Sequence, residues 1–407
     1  MSITQRQQRF IITNSTDDGA PACMPSQVVL VMQGGGALGA YQAGVYTALF
    51  EAGLEPDWII GTSIGAINGA IIAGNPPETR LQQLTAFWDE MEHNSTAGLF
   101  GWSSMLSKMV SNFFTFTQGI PGFFSPNPLS NLGPYAKLGS ENASYYRTHP
   151  LKKTLSKLVD FEYLKSSPIR LTLSAVEIQT GQLHYFDSRH IPIQLDHIMA
   201  SGALPPAFPA VRIDDKIYWD GGLYSNTPIE VIFNQEQRHN SLIFSVNLWN
   251  SLGKEPQTML DVMGREKDIQ YASRLNSYLY HQKQMQLLRQ IILRLVKKMP
   301  EELQEQGAIR QLEAYGCSRT MHVVQLLAPN LKNEDYTKDI DFSPEGIRTR
   351  RKAGYDDTVW ALKKRPWQNA IEKFDAVLVH DVTTLRTGEK NSMCTPGADI
   401  SQPKMVN

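Results

Sequence analysis

A serine in a glycine-rich frame is the first residue of this sequence whose surroundings point to chemistry. Ser63 stands at the centre of the pattern G-T-S-I-G, and the apolar run Trp58–Ile60 precedes it. This pattern predicts a buried strand, a sharp turn and a helix, with the serine exposed at the corner. The amino end of the helix favours negative charge, which suits the oxyanion formed when a serine attacks an ester. For this motif alone, a glycine-rich turn with an incidental serine is an equal alternative.

A second glycine-rich segment follows the preceding predicted strand. The apolar run Val28–Met32 leads into three glycines and then into a helical pattern that ends near Ala52. Strand, helix, strand and helix in this order predict a parallel sheet whose strand carboxyl ends share one edge. Adjacent glycines lack a Cβ, so their N–H groups can converge on one oxyanion. The glycines predicted to do so are Gly34, Gly35 and Gly36.

The same glycines also fit a dinucleotide-binding fingerprint, G-x-G-x-x-G, which leaves a nicotinamide-dependent oxidoreductase as an alternative. That fold requires an acidic residue at the end of the second strand to bind the ribose. Here the position is occupied by the serine turn, and Asp57 precedes the strand instead of following it. The sequence therefore favours an oxyanion hole over a dinucleotide site.

A nucleophilic serine needs a base, and the chain offers two kinds. An α/β-hydrolase would use a downstream histidine, and the candidates are His239, His281, His322 and His380. None of them lies in a turn that marks it, since His281 falls in a helical pattern and His322 in a strand pattern. The other kind is Asp220, which begins the D-G-G turn after the predicted strand Lys216–Trp219. Asp-Gly is also a common hairpin signal, so a structural role for it stays open.

Four blocks in a fixed order resemble the patatin-like phospholipase family, in its bacterial branch with a C-terminal extension. They are the G-G-G loop, the G-T-S-x-G turn, the segment A-S-G-A-L-P-P-A-F-P at residues 200–209 and the D-G-G turn. The resemblance spans roughly residues 28–250. It implies a dyad of Ser63 and Asp220 without a catalytic histidine. It also implies an oxyanion loop of Gly34, Gly35, Gly36 and Ala37.

One departure weakens the assignment to phospholipids. The family's loop often carries a basic residue where this chain has Leu38, which removes a contact to an anionic head group. The resemblance still implies a three-layer αβα sandwich with a mostly parallel sheet. The expected activity is serine acyl hydrolysis of lipid esters, of the phospholipase A or lysophospholipase type. No cofactor and no metal are expected.

The predicted organisation has four parts. Residues 1–27 and 386–407 read as polar tails, 28–250 as the hydrolase domain, and 251–385 as a mostly helical extension packed on it. Within the domain, Thr227 is predicted to cap a helix from Pro228. In the extension, Asp261–Met299 reads as one long helical stretch. The strand Met321–Leu327 either completes the sheet or belongs to a part that regulates access.

Composition narrows the class of partner. The 39 basic and 40 acidic residues of the 407-residue chain nearly cancel, which gives no electrostatic case for nucleic-acid binding. Three widely spaced cysteines predict no disulfide framework, and no apolar run predicts a signal peptide or a membrane span. We therefore expect a cytoplasmic protein whose membrane contact, where it occurs, is peripheral. The sequence assigns no oligomeric state.

Two surfaces are candidates for lipid contact. Residues 94–150 are rich in aromatic residues, Gly, Ser and Pro. They predict either an insertion packed over the core or a lid or lipid-facing surface beside the active site. Their apolar stretch 99–124 is expected to keep the site dry and hold an acyl chain. A basic cluster predicts either a solvated helix face or attraction to an anionic lipid surface, and its members are Arg348, Arg350, Arg351 and Lys352.

Overall fold

A mixed sheet of nine strands forms the centre of the described residues. The computed structural model describes residues 25–92, 119–235, 239–272, 275–305, 307–317, 319–331, 334–369 and 376–387. The strands are β1 (Gln27–Met32), β2 (Trp58–Gly61), β3 (Ser125–Pro126), β4 (Tyr146–Arg147), β5 (Arg170–Glu177), β6 (Leu183–Asp187), β7 (Val211–Ile213), β8 (Lys216–Asp220), β9 (Ser241–Asn247), β10 (Met321–Leu327) and β11 (Val377–Asp381).

The sheet order is β11-β10-β9-β1-β2-β5-β8-β7, with β6 paired to β5. The first six strands of this order are parallel to one another. The strands β6, β7 and β8 are joined by antiparallel pairing, and β3 and β4 form a separate two-stranded ribbon. The carboxyl ends of β1 and β2 consequently lie next to each other at one edge, as the two glycine-rich motifs predict.

Helices cover both faces of the sheet. They are α1 (Ala40–Glu51), α2 (Ile64–Ala73), α3 (Pro77–Met91), α4 (His149–Leu158), α5 (Phe161–Lys165), α6 (Leu195–Ser201), α7 (Glu230–Phe233), α8 (Met259–Tyr271), α9 (Leu275–Lys298), α10 (Glu301–Gln304), α11 (Gly307–Tyr315), α12 (Pro344–Lys364) and α13 (Val382–Thr387). None of these helices has the length and apolar character needed to cross a bilayer.

The side chains of β1 explain the layering. Leu30 and Met32 point into one apolar core, where α1 and α2 pack, while Val29 and Val31 point into a second core beneath α7 and α9. Such alternation is the period-two pattern of a strand, and all six residues of β1 are buried because both faces are covered. Each such apolar side chain contributes roughly 1.5–3 kcal/mol on burial. The predicted three-layer αβα sandwich is confirmed.

The C-terminal part of the chain adds strands to this sheet. β10 pairs in parallel with β9, and β11 with β10, so the strand predicted at Met321–Leu327 extends the sheet. The helical stretch predicted for Asp261–Met299 is two helices, α8 and α9, instead of one. Most of the predicted tails, residues 1–24 and 388–407, lie outside the described residues.

Thr227 does not cap a helix, contrary to the prediction. α7 begins at Glu230, and the Thr227 hydroxyl accepts a hydrogen bond from Gln33 Nε2 at 2.8 Å. The hydroxyl is thus taken by a partner from the start of the glycine loop, which no local pattern around Thr227 indicates.

Two helices from opposite ends of the chain cross at glycines. A Cβ on Gly44 of α1 would overlap the carbonyl oxygen of Arg351, and a Cβ on Gly354 of α12 would overlap that of Tyr41. The missing side chains let the backbones approach each other closely at this crossing. Through it, α12 is fixed to the helix that directly follows the glycine loop.

Candidate active site

Ser63 occupies a strained corner between β2 and α2. Its φ of 55° lies in the left-handed region, which is uncommon for residues other than glycine. The corner closes because a Cβ on Gly61 would overlap the Gly65 carbonyl oxygen, and one on Gly65 would overlap that of Met32. The G-x-S-x-G frame is therefore a requirement of packing at a turn that presents the serine.

The segment that carries the A-S-G-A-L-P-P motif holds the turn at Ser63 in place. The Ser63 N–H donates to both the carbonyl oxygen and the hydroxyl of Ser201, each at 3.1 Å. The neighbouring Thr62 hydroxyl is hydrogen-bonded to the Ser174 hydroxyl of β5 at 2.6 Å. Strain at Ser63 is thus maintained by fixed partners on both sides.

Asp220 ends β8 and is only 2% exposed. Its backbone pairs with Ala175 of β5, and a Cβ on Gly221 would overlap Ser174, which explains the small residue after the aspartate. The Asp220 Oδ1 atom accepts the Gly222 N–H at 2.7 Å, and Asp220 lines the same pocket as Ser63, whose side chain lowers the pKa of the carboxyl. The structure therefore brings the two predicted dyad residues together.

The environment of Asp220 changes its acidity. Burial raises the pKa of the Asp220 carboxyl to about 7, while the neighbouring Ser63 side chain and the Gly222 N–H partly offset this and lower the pKa. A carboxyl group with a pKa near neutrality is matched to proton transfer at physiological pH.

The glycine loop lies beside this pair, and its residues differ in what they offer. The Gly34 N–H donates to the Asn226 carbonyl oxygen at 3.2 Å, so this donor is occupied. The N–H groups of Gly35 and Gly36 have no acceptor among the described residues, and both glycines line the pocket. Ala37 is buried and does not line it. Gly35 and Gly36 are therefore the two predicted residues whose geometry suits oxyanion donors.

The pocket that Ser63 and Asp220 share has a volume of about 330 Å³. Much of its wall is an aromatic cluster in which Phe123 contacts Phe208 and Phe342 at centroid distances of 6.0 and 5.7 Å. Phe123 and Phe124 belong to the predicted 99–124 segment, while residues 93–118 lie outside the described residues. The described end of that segment thus contributes an apolar wall.

The sequence did not reveal the part of the wall that comes from the C-terminal region. Lys267 and Tyr271 of α8, and the segment Tyr336–Phe342, contribute residues to the pocket. Asn226 and Trp249 also line it, and both bind the Gly34 carbonyl oxygen, at 3.1 and 2.8 Å. Asn226 follows the D-G-G turn closely enough to have been suspected, but no local signal marks the others.

No histidine is among the described residues that line the pocket. His239 and His281 are exposed, and the rings of His322 and His380 bond to each other at 3.1 Å on adjacent strands. Asp57 binds the Val28 N–H at 2.9 Å, at the opposite end of the strands from the glycine loop. The described geometry thus offers no support for a histidine base or for a ribose-binding acid.

The predicted basic cluster is only partly a solvent-facing surface. Arg350 is buried and bonded to the backbone oxygens of Asp341 and Lys338 at 2.8 and 3.2 Å. Arg348 and Lys352 are exposed, and Lys352 is ion-paired with Asp356. Both predicted roles of the cluster, a solvated face and a lipid-binding face, are therefore wrong for Arg350.

Models of known protein families match two parts of this chain. The model of the patatin-like phospholipase family matches residues 30–233, half of the chain. The chain belongs to the patatin-like phospholipase family. A second model, described as patatin phospholipase, matches residues 269–373, so the C-terminal part of this patatin-like chain also has a counterpart.

Individual relatives match parts of this patatin-like chain. A cGAMP-activated phospholipase from Pseudomonas aeruginosa is 26% identical over 218 residues, 50% of this chain and 55% of that protein. Human patatin-like phospholipase domain-containing protein 6 is 32% identical over 127 residues, 30% of this chain and 9% of that protein. The chain thus spans about half of the first relative and a small part of the second.

Among solved structures, VipD from Legionella pneumophila aligns over 88% of this chain and 73% of its own, with 17% identity. The TM-score is 0.39, which is too low to support an inference.

Replacing Asp220 with Asn is expected to stabilise the protein at neutral pH. The unfolded carboxyl ionises near its ordinary pKa of 3.8, whereas the folded one ionises near 7. Between these values the unfolded state loses the proton first, so wild-type stability falls as pH rises. The advantage of Asp220→Asn should grow by up to about 1.4 kcal/mol per pH unit from pH 4 to 7, then level off.

Urea denaturation across that pH range measures this advantage as a difference in the free energy of unfolding. Asp215→Asn, at an exposed turn position, is the matched control and should show no comparable pH dependence. An Asp220→Asn advantage that stays constant with pH would contradict a raised pKa.

Proposed function

We propose that the protein is a serine acyl hydrolase that cleaves carboxylic esters of lipids, of the phospholipase A or lysophospholipase type. The observation that carries this proposal is one pocket that brings together Ser63, the buried Asp220 carboxyl and two glycine N–H groups with no acceptor among the described residues. Membership of the patatin-like phospholipase family supports hydrolysis of lipid esters. The dyad and the ester class are our inferences from the pocket.

The reaction begins at the Ser63 hydroxyl. Its oxygen attacks the acyl carbonyl carbon, and its proton passes to the Asp220 carboxylate. The carbonyl oxygen becomes an oxyanion that accepts hydrogen bonds from the Gly35 and Gly36 N–H groups. When the tetrahedral intermediate collapses, the C–O bond to the alcohol breaks and Asp220 returns the proton to the leaving oxygen.

The second half of the reaction releases the fatty acid. Asp220 accepts a proton from a water molecule as that water attacks the acyl-serine carbonyl. The same glycines stabilise the second oxyanion. The Ser63 oxygen then leaves and takes the proton back, which restores the starting state. All atoms and protons balance with water as the only co-reactant, and no cofactor or metal enters this scheme.

An aspartate with an ordinary pKa near 3.9 would be a weak base for this step. The raised pKa of Asp220 supports the role, because it increases the affinity of the carboxylate for the serine proton. Each oxyanion donor typically contributes roughly 10²–10³ to the rate in such a water-poor site. The apolar wall formed by Phe123, Phe124 and Phe208 suits an acyl chain.

The exposed surface beside the pocket supports a peripheral contact with lipid. Helix α8 contributes Lys267 and Tyr271 to the pocket. Val262 and Ile269, on the other side of the helix, are 47 and 60% exposed, and Met259 and Met263 in its first turns are 74 and 44% exposed. An amphipathic helix with an outward apolar face can lie at a membrane interface. This surface, instead of the basic cluster of α12, is our candidate for the contact.

Removing either dyad residue is expected to abolish hydrolysis. Ser63→Ala and Asp220→Asn should each lower kcat by at least about 10³-fold on a panel of lipid esters, since one loses the nucleophile and the other the base. Ser156→Ala, an exposed serine on α4, is the matched control and should behave as wild type.

The same assay separates the histidine alternative from the dyad. His239→Gln, His281→Gln, His322→Gln and His380→Gln should each keep wild-type kcat if their fold is intact. Loss of activity in any one of them, with circular dichroism unchanged, would mean that a histidine is the base. Detectable binding of NAD(P) would instead revive the dinucleotide alternative.

Charge on the apolar side of α8 is expected to weaken membrane contact. Val262→Glu/Ile269→Glu should lose at least about tenfold in sedimentation with phosphatidylcholine vesicles, because burying a carboxylate in lipid is costly. Leu303→Glu/Leu312→Glu replaces exposed leucines on α10 and α11 and should bind as wild type. Equal binding by all three proteins would exclude α8 as the contact surface.

A further inference from the structure

The segment Tyr336–Phe342, here called the pocket segment, is built against the glycine loop. Gly36 has a φ of 55°, and a Cβ placed on it would overlap the carbonyl oxygen of Asp339. The loop and the pocket segment line the same pocket as Ser63. A stretch from the C-terminal part of the chain is therefore in contact with the proposed oxyanion donors.

Two reciprocal ion pairs join the pocket segment to helix α8. Lys267 Nζ contacts the two carboxylate oxygens of Asp339 at 2.9 and 3.0 Å. Lys267 is followed by Asp268, Asp339 is preceded by Lys338, and Lys338 Nζ lies 2.6 Å from Asp268 Oδ1. Ion pairs that form a network contribute more than isolated ones on the surface. We refer to these four residues as the charge clamp.

The hydrogen bonds of Lys267 join helix α8 to two residues of the pocket segment. Besides Asp339, its Nζ donates to the carbonyl oxygen of Tyr336 at 2.9 Å. The two Asp339 oxygens share one N–H of the ammonium group, and a second N–H bonds to Tyr336. Both of these hydrogen bonds of Lys267 therefore end on the pocket segment. Its geometry is that of a residue that holds the pocket segment.

Contacts of an aromatic ring and of backbone and side-chain amide groups connect the charge clamp to the start of the glycine loop. Lys338 Nζ lies 5.3 Å from the centre of the Trp249 ring, and Trp249 Nε1 donates to the Gly34 carbonyl oxygen at 2.8 Å. The last residue of α8, Tyr271, accepts hydrogen bonds through its backbone oxygen from Gln33 and Asn226 at 3.1 and 2.9 Å. Trp249 and Asn226 both bind the Gly34 carbonyl oxygen, and Gln33 directly precedes Gly34. The contacts of Lys338 and of Tyr271 therefore both lead to the start of the glycine loop.

Arg350 anchors the pocket segment from the opposite side. Its guanidinium is buried and donates to the backbone oxygens of Lys338 and Asp341 and to Glu334 at 3.0 Å. Its helix, α12, is the one that crosses α1 at Gly44 and Gly354. The pocket segment is thus held between two helices that both connect to the glycine loop.

We propose that Lys267, Asp268, Lys338 and Asp339 are positioning residues for the glycine loop. The N–H groups of Gly35 and Gly36 have no acceptor among the described residues, and glycine backbones adopt many conformations when they are unsupported. The clamp keeps the pocket segment against Gly36 and so keeps these donors turned toward the pocket. The effect on catalysis rests on the proposed function, whereas the effect on loop conformation does not.

Kinetics test the catalytic consequence. Lys267→Met should lower kcat at least about tenfold with KM changed less than about twofold, because the loss falls on oxyanion stabilisation. Lys267→Arg keeps a cation opposite Asp339 and should stay within about threefold of wild type. Lys352→Met breaks an exposed ion pair on α12 and is the matched control, expected to behave as wild type.

Hydrogen exchange tests the loop directly, without reference to activity. The Leu38 N–H donates to Gly35 and the Gly34 N–H to Asn226, so both report the loop conformation. Both should exchange faster in Lys267→Met than in wild type or Lys352→Met. Should Lys267→Met fail to fold, Asp339→Asn removes the charge at nearly constant size and should show the same changes.

The outcomes separate the two proposals. Unchanged kcat and unchanged exchange in a folded Lys267→Met would overturn the positioning role, as would an Arg variant as impaired as the Met variant. If Ser63→Ala hydrolyses esters as well as wild type, the proposed function fails. The exchange measurement still decides whether the clamp positions the loop in that case.

Discussion

The placement of the Ser63 side chain beside the buried Asp220 carboxyl is the constraint on which the pocket depends. Burying a carboxylate away from water costs free energy, so the surrounding structure must hold the Asp220 carboxyl in position. Here β8 pairs with β5, the D-G-G turn packs against Ser174, and the strained Ser63 backbone is held by Ser201. The strained backbone at Ser63 and the burial of the carboxyl cost stability, and these contacts keep the two side chains close together.

The glycine loop depends on a second constraint, which is the complete use of the Gln33 side chain. Its Nε2 donates to Thr227 and to Tyr271, and its Oε1 accepts the N–H groups of Leu248 and Trp249. The buried Gln33 amide has all its donors and its acceptor hydrogen-bonded, so it fixes the segments that bind it. A buried amide without these hydrogen bonds would destabilise the fold. The loop is therefore assembled from β1, from the segment after Asp220 and from the C-terminal part of the chain.

The sequence predicted the elements that are local or that follow from parallel pairing. Ser63 and the glycines each lie directly after an apolar run, and parallel strands bring their carboxyl ends to one edge. Asp220 was identified through the family pattern and one turn motif. These signals were enough to name the residues that the structure brings together.

The parts that the sequence did not predict depend on contacts between distant segments. Lys267 and Asp339 are 72 residues apart and lie in unremarkable charged stretches. Arg350 read as one of four clustered surface charges, although its guanidinium is buried among backbone oxygens. Thr227 looked like a helix cap because a local pattern cannot show that Gln33 competes for its hydroxyl.

The rate at which a fluorophosphonate labels Ser63, followed by peptide mapping as a function of pH, tests the dyad most directly. We predict modification of Ser63 alone, a labelling rate that rises with pH around an apparent pKa of about 7, and near-complete loss of labelling in Asp220→Asn. Labelling of another residue, or undiminished labelling of Ser63 in Asp220→Asn, would contradict it.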